Sequence, residues 1–439
     1  MSLSEQARVP GRRSVLILAT AMALLLSLAG SALKSTVQVN IVQMARDLDV
    51  GLGGFAWSTT IFALMIGVAS PLVGYFADRF GGAVTLTSGA VLAGAAFLSC
   101  AVAPNIAVFV LAYGLLGAFA FTLLSFIPLA VLVDQLFEGR GEGLSYATLT
   151  NGPAIGFIVL VPLWVALQSV VGWRAVLFTV GLVFWVVLAP IAWSLRRFTT
   201  DQQAPDADSA LSDAPLLKRF GEVMRRPAFV LLALAFFGCG VTMAFIDVHL
   251  VADLEMNHVA PGITSATLVI LGVTEILGSL VAGHYCDQGM IKRTLIAAYA
   301  LRASAMFVIA VNPGAISALV FGAIFGTSYL MTVVATTMWV FRILPRHVRG
   351  VGMGVIWTVH SIGAAVSSQL GAMLRQSTGS YTLPSLLGGF VVVLSTLIAV
   401  SLAAPPQPRT AEDTELDAAM RETSRLTQES SARGDGNTL

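Results

Sequence analysis

The chain has 439 residues, 56% hydrophobic and 11% charged, with a formal net charge of +1 and a mean hydropathy of +0.83. Soluble domains carry about 25% charged residues, so the composition excludes an ordinary water-soluble enzyme and points to an all-α integral membrane protein. The near-zero net charge also excludes a basic nucleic-acid binder.

About 20 consecutive apolar residues suffice to cross a bilayer. Run lengths and breaks predict spans at about 14–40, 52–77, 83–103, 105–134, 144–171 and 173–194, which form a first bundle over 14–194. A polar linker follows at 195–226. A second bundle over 227–403 holds spans at about 227–252, 262–286, 291–311, 314–341, 349–376 and 381–403. Arg8, Arg12 and Arg13 in the short N-terminus 1–13 precede an apolar run in the manner of a signal peptide. That run continues to about Asn40 and eleven others follow, so an uncleaved first helix is expected. The tail 404–439 is rich in Thr, Glu, Ser and Arg and is expected to be disordered. Cys100, Cys239 and Cys286 sit in or beside apolar runs and read as small core residues.

Orientation follows from the basic residues. With both ends inside, 20 Lys and Arg residues fall on the cytoplasmic side, and only Arg46, Arg174 and Arg375 fall outside. An N-in/C-in topology is therefore expected. The chain contains no Asn-x-Ser/Thr sequon, which fits a bacterial inner membrane.

Two signatures repeat at one offset. Gly74-Tyr75-Phe76-Ala77-Asp78-Arg79-Phe80-Gly81 closes the second run, and Gly283-His284-Tyr285-Cys286-Asp287-Gln288-Gly289 closes the eighth, 209 positions later. Arg140-Gly141-Glu142-Gly143 and Arg349-Gly350-Val351-Gly352 share that offset. A duplicated 6 + 6 architecture is expected. This layout and the G-x-x-x-D-R-x-G loop resemble the major facilitator superfamily. The resemblance implies two six-helix bundles around a cavity that opens alternately to either side. It further implies a gating loop of Gly74, Asp78, Arg79 and Gly81, with Gly283 and Asp287 in the second copy. Asp78 would meet the start of span 11 near Gly350, where a helix N-terminus favours a carboxylate. Ala32-Leu33-Lys34-Ser35 and Phe245-Ile246-Asp247-Val248-His249 resemble the monocarboxylate-transporter branch. In span 8 that branch places an acid and an arginine four residues apart; here those positions hold Glu275 and Ser279. Gly152-Pro153-Ala154-Ile155-Gly156 is part of an antiporter motif, whereas Tyr113 stands where drug antiporters carry an arginine.

Charges inside a bilayer are costly and usually face partners or a wet cavity. Lys34 reads as the cation that attracts a carboxylate substrate, or as a lysine that snorkels or pairs with Asp247. Glu275 and Arg302 can form an ion pair across the span 8–9 hairpin, either structural or part of proton coupling. Asp247 and His249 stand near the outer end of span 7, as a gate or as solvated groups. His360 lies 209 residues after Asn151, so the shared offset makes them equivalent polar positions, which bind substrate in the cavity or pack helices together. Trp357 shares a face with His360 and stacks on a ring-bearing substrate or fills the core. No nucleotide loop or metal-ligand cluster is legible and no cofactor is expected. The reading is a monomeric secondary transporter, not an enzyme, that moves a small organic anion, foremost a monocarboxylate, with protons. Proton-driven efflux of toxic organics, or uptake of a larger solute such as a vitamin or siderophore, stays open.

Overall fold

The computed structural model describes residues 10–137, 141–168, 170–199 and 214–406. The tail beyond 406, expected to be disordered, lies outside the described residues, as do residues 1–9 and Arg140. Among the described residues, twelve helices are long and apolar enough to cross a membrane. They are α1 (Ser14–Asp47), α2 (Leu52–Phe80), α3 (Gly82–Ala101), α4 (Ile106–Phe137), α5 (Glu142–Gln168) and α6 (Trp173–Thr199), then α7 (Pro227–Met256), α8 (Pro261–Asp287), α9 (Ile291–Val311), α10 (Ala315–Ile343), α11 (Arg346–Thr378) and α12 (Thr382–Ser401). A nine-residue linker helix, Leu216–Met224, precedes α7. The chain punctuates these elements in expected ways. Asn105 caps α4 by accepting the Val108 N–H at 3.0 Å. Pro227 and Pro261 open α7 and α8, where a missing N–H costs nothing.

Six helices pack in the same pattern in each half. The pairs α1–α5, α2–α4, α3–α4 and α3–α6 recur as α7–α11, α8–α10, α9–α10 and α9–α12. Small residues make this close approach possible, because membrane helices associate through tight packing rather than through an apolar contrast with lipid. A Cβ on Gly156 would lie 2.6 Å from Leu28 O, and one on Gly363 would lie 2.5 Å from Phe237 O. Leu28 and Phe237 are 209 apart, but Gly156 and Gly363 are 207 apart.

The repeat therefore does not hold a single offset. It is 209 for α1/α7 and α2/α8 and 207 for α5/α11, since 65 residues separate Asp78 from Gly143 and 63 separate Asp287 from Gly350. The matching Arg-Gly-x-Gly signatures are out of register by two residues. The structural counterpart of Asn151 is Thr358, not His360.

The halves meet along two crossings, α2 with α11 and α5 with α8. At the first, a Cβ on Gly74 would run into Gly350 O, and one on Gly354 into Ser70 O. At the second, a Cβ on Gly283 would lie 2.6 Å from Gly143 O. Both crossings lie towards the face where α2 and α8 end. Beyond Asn151 and Ser361 the burial of α5 and α11 falls away, so a cleft opens to the opposite face.

The G-x-x-x-D segment is helix rather than loop. Gly74–Phe80 and Gly283–Asp287 form the last turns of α2 and α8, and Gly81 and Gly289, at φ +84° and +81°, turn the chain beyond them. The apolar run ends before the helix does, because the aspartates face partners in the other half. Gly350→Val is expected to force this backbone contact apart at a cost of about 1–3 kcal/mol. Thermal unfolding in detergent would register the loss, and an unchanged Tm would contradict the close approach.

Candidate functional site

At the narrow end of the cleft, both crossings are closed by a carboxylate on a helix N-terminus. The Gly350 and Val351 N–H groups donate to Asp78 Oδ1 and Oδ2 at 2.5 and 2.8 Å. Gly143 and Leu144 N–H donate to Asp287 Oδ1 and Oδ2 at 2.8 and 3.0 Å. The first N–H groups of a helix have no partner within it and carry the positive end of its dipole. Each aspartate thus satisfies two orphan donors of the other half. Gly74 and Gly283, one turn earlier, have no side chain that would hold the backbones apart.

Ion pairs reinforce this closure. Asp134 at the end of α4 pairs closely with Arg349, and Arg346 Nε lies at 3.6 Å. Arg342 lies 3.7 Å from Glu142 at the start of α5. Arg219 of the linker helix reaches Asp78 at 3.9 Å. Arg79 donates to Tyr75 Oη at 3.3 Å and lies over the Phe80 ring. Asp134 and Arg219 were not legible as site residues, because a charge at a helix end or in a linker looks like solvated surface.

Above this closure lies an aromatic floor. Phe126 of α4 stacks on Trp357 of α11 with centroids 4.6 Å apart and planes at 6°. Phe236 meets the same indole edge-on at 5.6 Å. His360 lies 4.9 Å from Trp357, and its Nε2 is 3.1 Å from Met243 Sδ. Trp357 is thus a plug between the halves, and its indole N–H is buried without a hydrogen-bond partner.

The four intramembrane charges converge above the floor. Lys34 is half-buried just after α1 breaks at Ser31, with Nζ 4.7 Å from the Phe121 ring centroid. Asp247 is the charge that acts on it most strongly. Glu275 is half-buried and lies in the fields of Asp247 and Arg302. Tyr329 of α10 stands among Asp247, Glu275 and Arg302, a position without any signal in the apolar run that holds it. Asp247 lies on a π-helical turn, Phe245–His249, and is exposed. Such turns carry one surplus residue and favour functional sites. His249, two residues on, is buried instead, its Nε2 3.1 Å from Ser368 O of α11. It is neither a solvated residue at a helix mouth nor a cleft group.

One expected contact fails here. Arg302 makes no ion pair with Glu275; its side chain is fully buried and spent elsewhere. It donates to Ser328 O and Tyr329 O at 2.7 Å each, to Cys239 Sγ at 2.9 Å and to Ser328 Oγ at 3.4 Å, and lies over Phe325. A buried cation needs a full set of acceptors, and α10 carbonyls supply them nearer than Glu275 does. Of the two readings of Asn151, its contacts fit helix packing. It donates to Ser279 Oγ at 2.9 Å and accepts from it at 3.1 Å, across the α5–α8 crossing. Ser279 is the position that would carry the branch's arginine, and here it is buried in that contact.

The Major Facilitator Superfamily model matches residues 11–368. The chain belongs to the major facilitator superfamily. This transporter is 25% identical to the MFS-type transporter YcxA of Bacillus subtilis over 360 residues, which cover 80% of the chain and 86% of that relative. It is 22% identical to Monocarboxylate transporter 12 of Xenopus laevis over 382 residues, 78% and 79% of the two chains. Its fold resembles that of the proton:xylose symporter XylE with a TM-score of 0.71 at 15% identity, over 92% of this chain and 99% of that one.

Replacing Asp78 or Asp287 by Asn removes the charge that each N-terminus attracts. Either change is expected to weaken the closed end by about 1–2 kcal/mol, roughly tenfold in the open-to-closed ratio. Spin-label distances between the ends of α2 and α11 would reveal the shift; an unaltered distribution in both variants would contradict the assignment.

Proposed function

We propose that this transporter carries a small organic anion, foremost a monocarboxylate, together with protons, by alternating access. Both termini face the cytoplasm of a bacterial inner membrane in this reading; the distribution of basic residues supports the orientation. The closed end is then cytoplasmic and the cleft faces outward.

One observation carries the choice of an anion. Of the two cations inside the membrane, Arg302 is fully buried and bound to α10, whereas Lys34 is accessible and has no ion pair among the described residues. A carboxylate entering the cleft meets one available positive charge. The nearby Asp247 competes for that charge, so substrate and Asp247 exchange places in the field of Lys34. Glu275 lies one step further along the same chain of charges and is the group best placed to carry the proton. The monocarboxylate transporters among its relatives support the same substrate class.

The antiporter-like Gly152-Pro153-x-x-Gly156 feature does not favour efflux. Gly156 abuts Leu28 as Gly363 abuts Phe237, so it belongs to packing shared by both halves. Tyr113 stacks on Phe62 at 4.5 Å and fills the site of the missing arginine with an aromatic contact.

Reconstitution into proteoliposomes with a pH gradient and a panel of labelled carboxylates, vitamins and cationic dyes tests this reading. Carboxylate accumulation is expected; dye flux alone would overturn it. Lys34→Gln is expected to lower carboxylate kcat/KM roughly 10- to 100-fold, as befits a lost charge-assisted contact. Unchanged kinetics would remove Lys34 from the site. Glu275→Gln is expected to abolish accumulation driven by the pH gradient while sparing substrate exchange; persistent accumulation would assign the proton elsewhere.

A further inference from the structure

The linker helix Leu216–Met224 has three distinct sectors around its axis. At 100° per residue, Leu216, Arg219 and Val223 fall on one side, and the structure buries Arg219 and Val223. Leu217, Phe220 and Met224 form an adjoining stripe, exposed at 82%, 38% and 38%. Lys218 and Arg225 follow beyond that stripe, both exposed.

The inner sector is docked where the halves close. Arg219 donates to His347 O at 3.0 Å and to Ala214 O at 3.2 Å, lies over the Tyr75 ring at 5.0 Å and reaches Asp78. Glu222 Oε2 lies 3.1 Å from His347 Nε2. Just past the helix, Arg226 donates to Ile343 O at 2.8 Å, at the end of α10. These contacts hold the helix across the ends of α2, α10 and α11, at the level where the membrane spans stop. No described residue covers the apolar stripe there.

We propose that the outer face of this helix is a docking surface for an anionic lipid headgroup layer. Leu217, Phe220 and Met224 enter the acyl boundary while Lys218 and Arg225 meet lipid phosphates. This is the arrangement of an interfacial amphipathic helix, whose binding adds apolar burial to attraction by anionic lipid. Charge complementarity selects the occupant: the sector beside the stripe carries the exposed bases Lys218 and Arg225. The same helix inserts Arg219 beside Asp78, so lipid seating and the closed end share one rigid element.

A spin label at Leu217→Cys in the full chain tests the surface without transport. Cys100, Cys239 and Cys286 are buried, and the same label on the unsubstituted protein sets the background. Vesicles of phosphatidylcholine alone are compared with vesicles that also contain phosphatidylglycerol. Seating predicts high oxygen access and low access to a water-soluble relaxant, with stronger protection in the anionic vesicles. Lys218→Gln in the labelled protein is expected to reduce the anionic preference about fivefold. A label equally open to the aqueous relaxant in both vesicle types overturns the proposal and leaves the stripe to a soluble protein. Equal protection in both, insensitive to Lys218→Gln, overturns the anionic assignment.

Discussion

The structure depends on carboxylates of one half binding the helix N-termini of the other. Asp78 on α11 and Asp287 on α5 are the same device used twice. Each bond pair works only if the two backbones approach within reach of a short side chain. That requirement explains the glycines one turn away, the helical continuation past the apolar runs, and the Arg219 and Arg349 charges gathered nearby. Removal of water from these donors is offset because every carboxylate oxygen finds an N–H.

The cleft has a different electrostatic character. Lys34, Asp247, Glu275 and Arg302 come from four helices and interact in sequence, yet form no direct ion pair among the described residues. Arg302 is anchored to α10 and acts as a fixed positive background behind Tyr329 and Glu275. Lys34 is half-buried and Asp247 exposed, and neither forms an ion pair among the described residues, so their partners are not already fixed. At the closed end both aspartates have every carboxylate oxygen bonded to an N–H; the intramembrane charges of the cleft have no such fixed partners except at Arg302.

Much of this was legible in the sequence. Twelve spans, two halves, the G-x-x-x-D pair and the four intramembrane charges follow from hydropathy and from the cost of charge in lipid. The partners of those charges did not follow. Arg302 has the right depth to meet Glu275, but side-chain direction around α9 aims it at α10, which spacing along one helix cannot reveal. Asn151 and His360 appeared equivalent because a four-residue signature repeats two positions out of register. Helix-to-helix contacts such as Gly156–Leu28 and Gly363–Phe237 define the true alignment, and they exist only after folding. Tyr329 and Phe126 carried no signal, since an aromatic in an apolar run resembles any other core residue.

The receptor for each aspartate is main chain. A change of side chain on the first turn of α5 or α11 leaves the N–H groups where they are, unless it introduces proline or replaces Gly143 or Gly350, where even a Cβ would strike the facing backbone. Sequence there is free to drift, as Glu142-Gly143-Leu144 and Arg349-Gly350-Val351 have drifted apart. The mutational fragility of the closure is therefore lopsided: it rests on two acids and on the facing glycine pairs Gly74–Gly350 and Gly283–Gly143, while the other first-turn side chains supply none of the N–H donors.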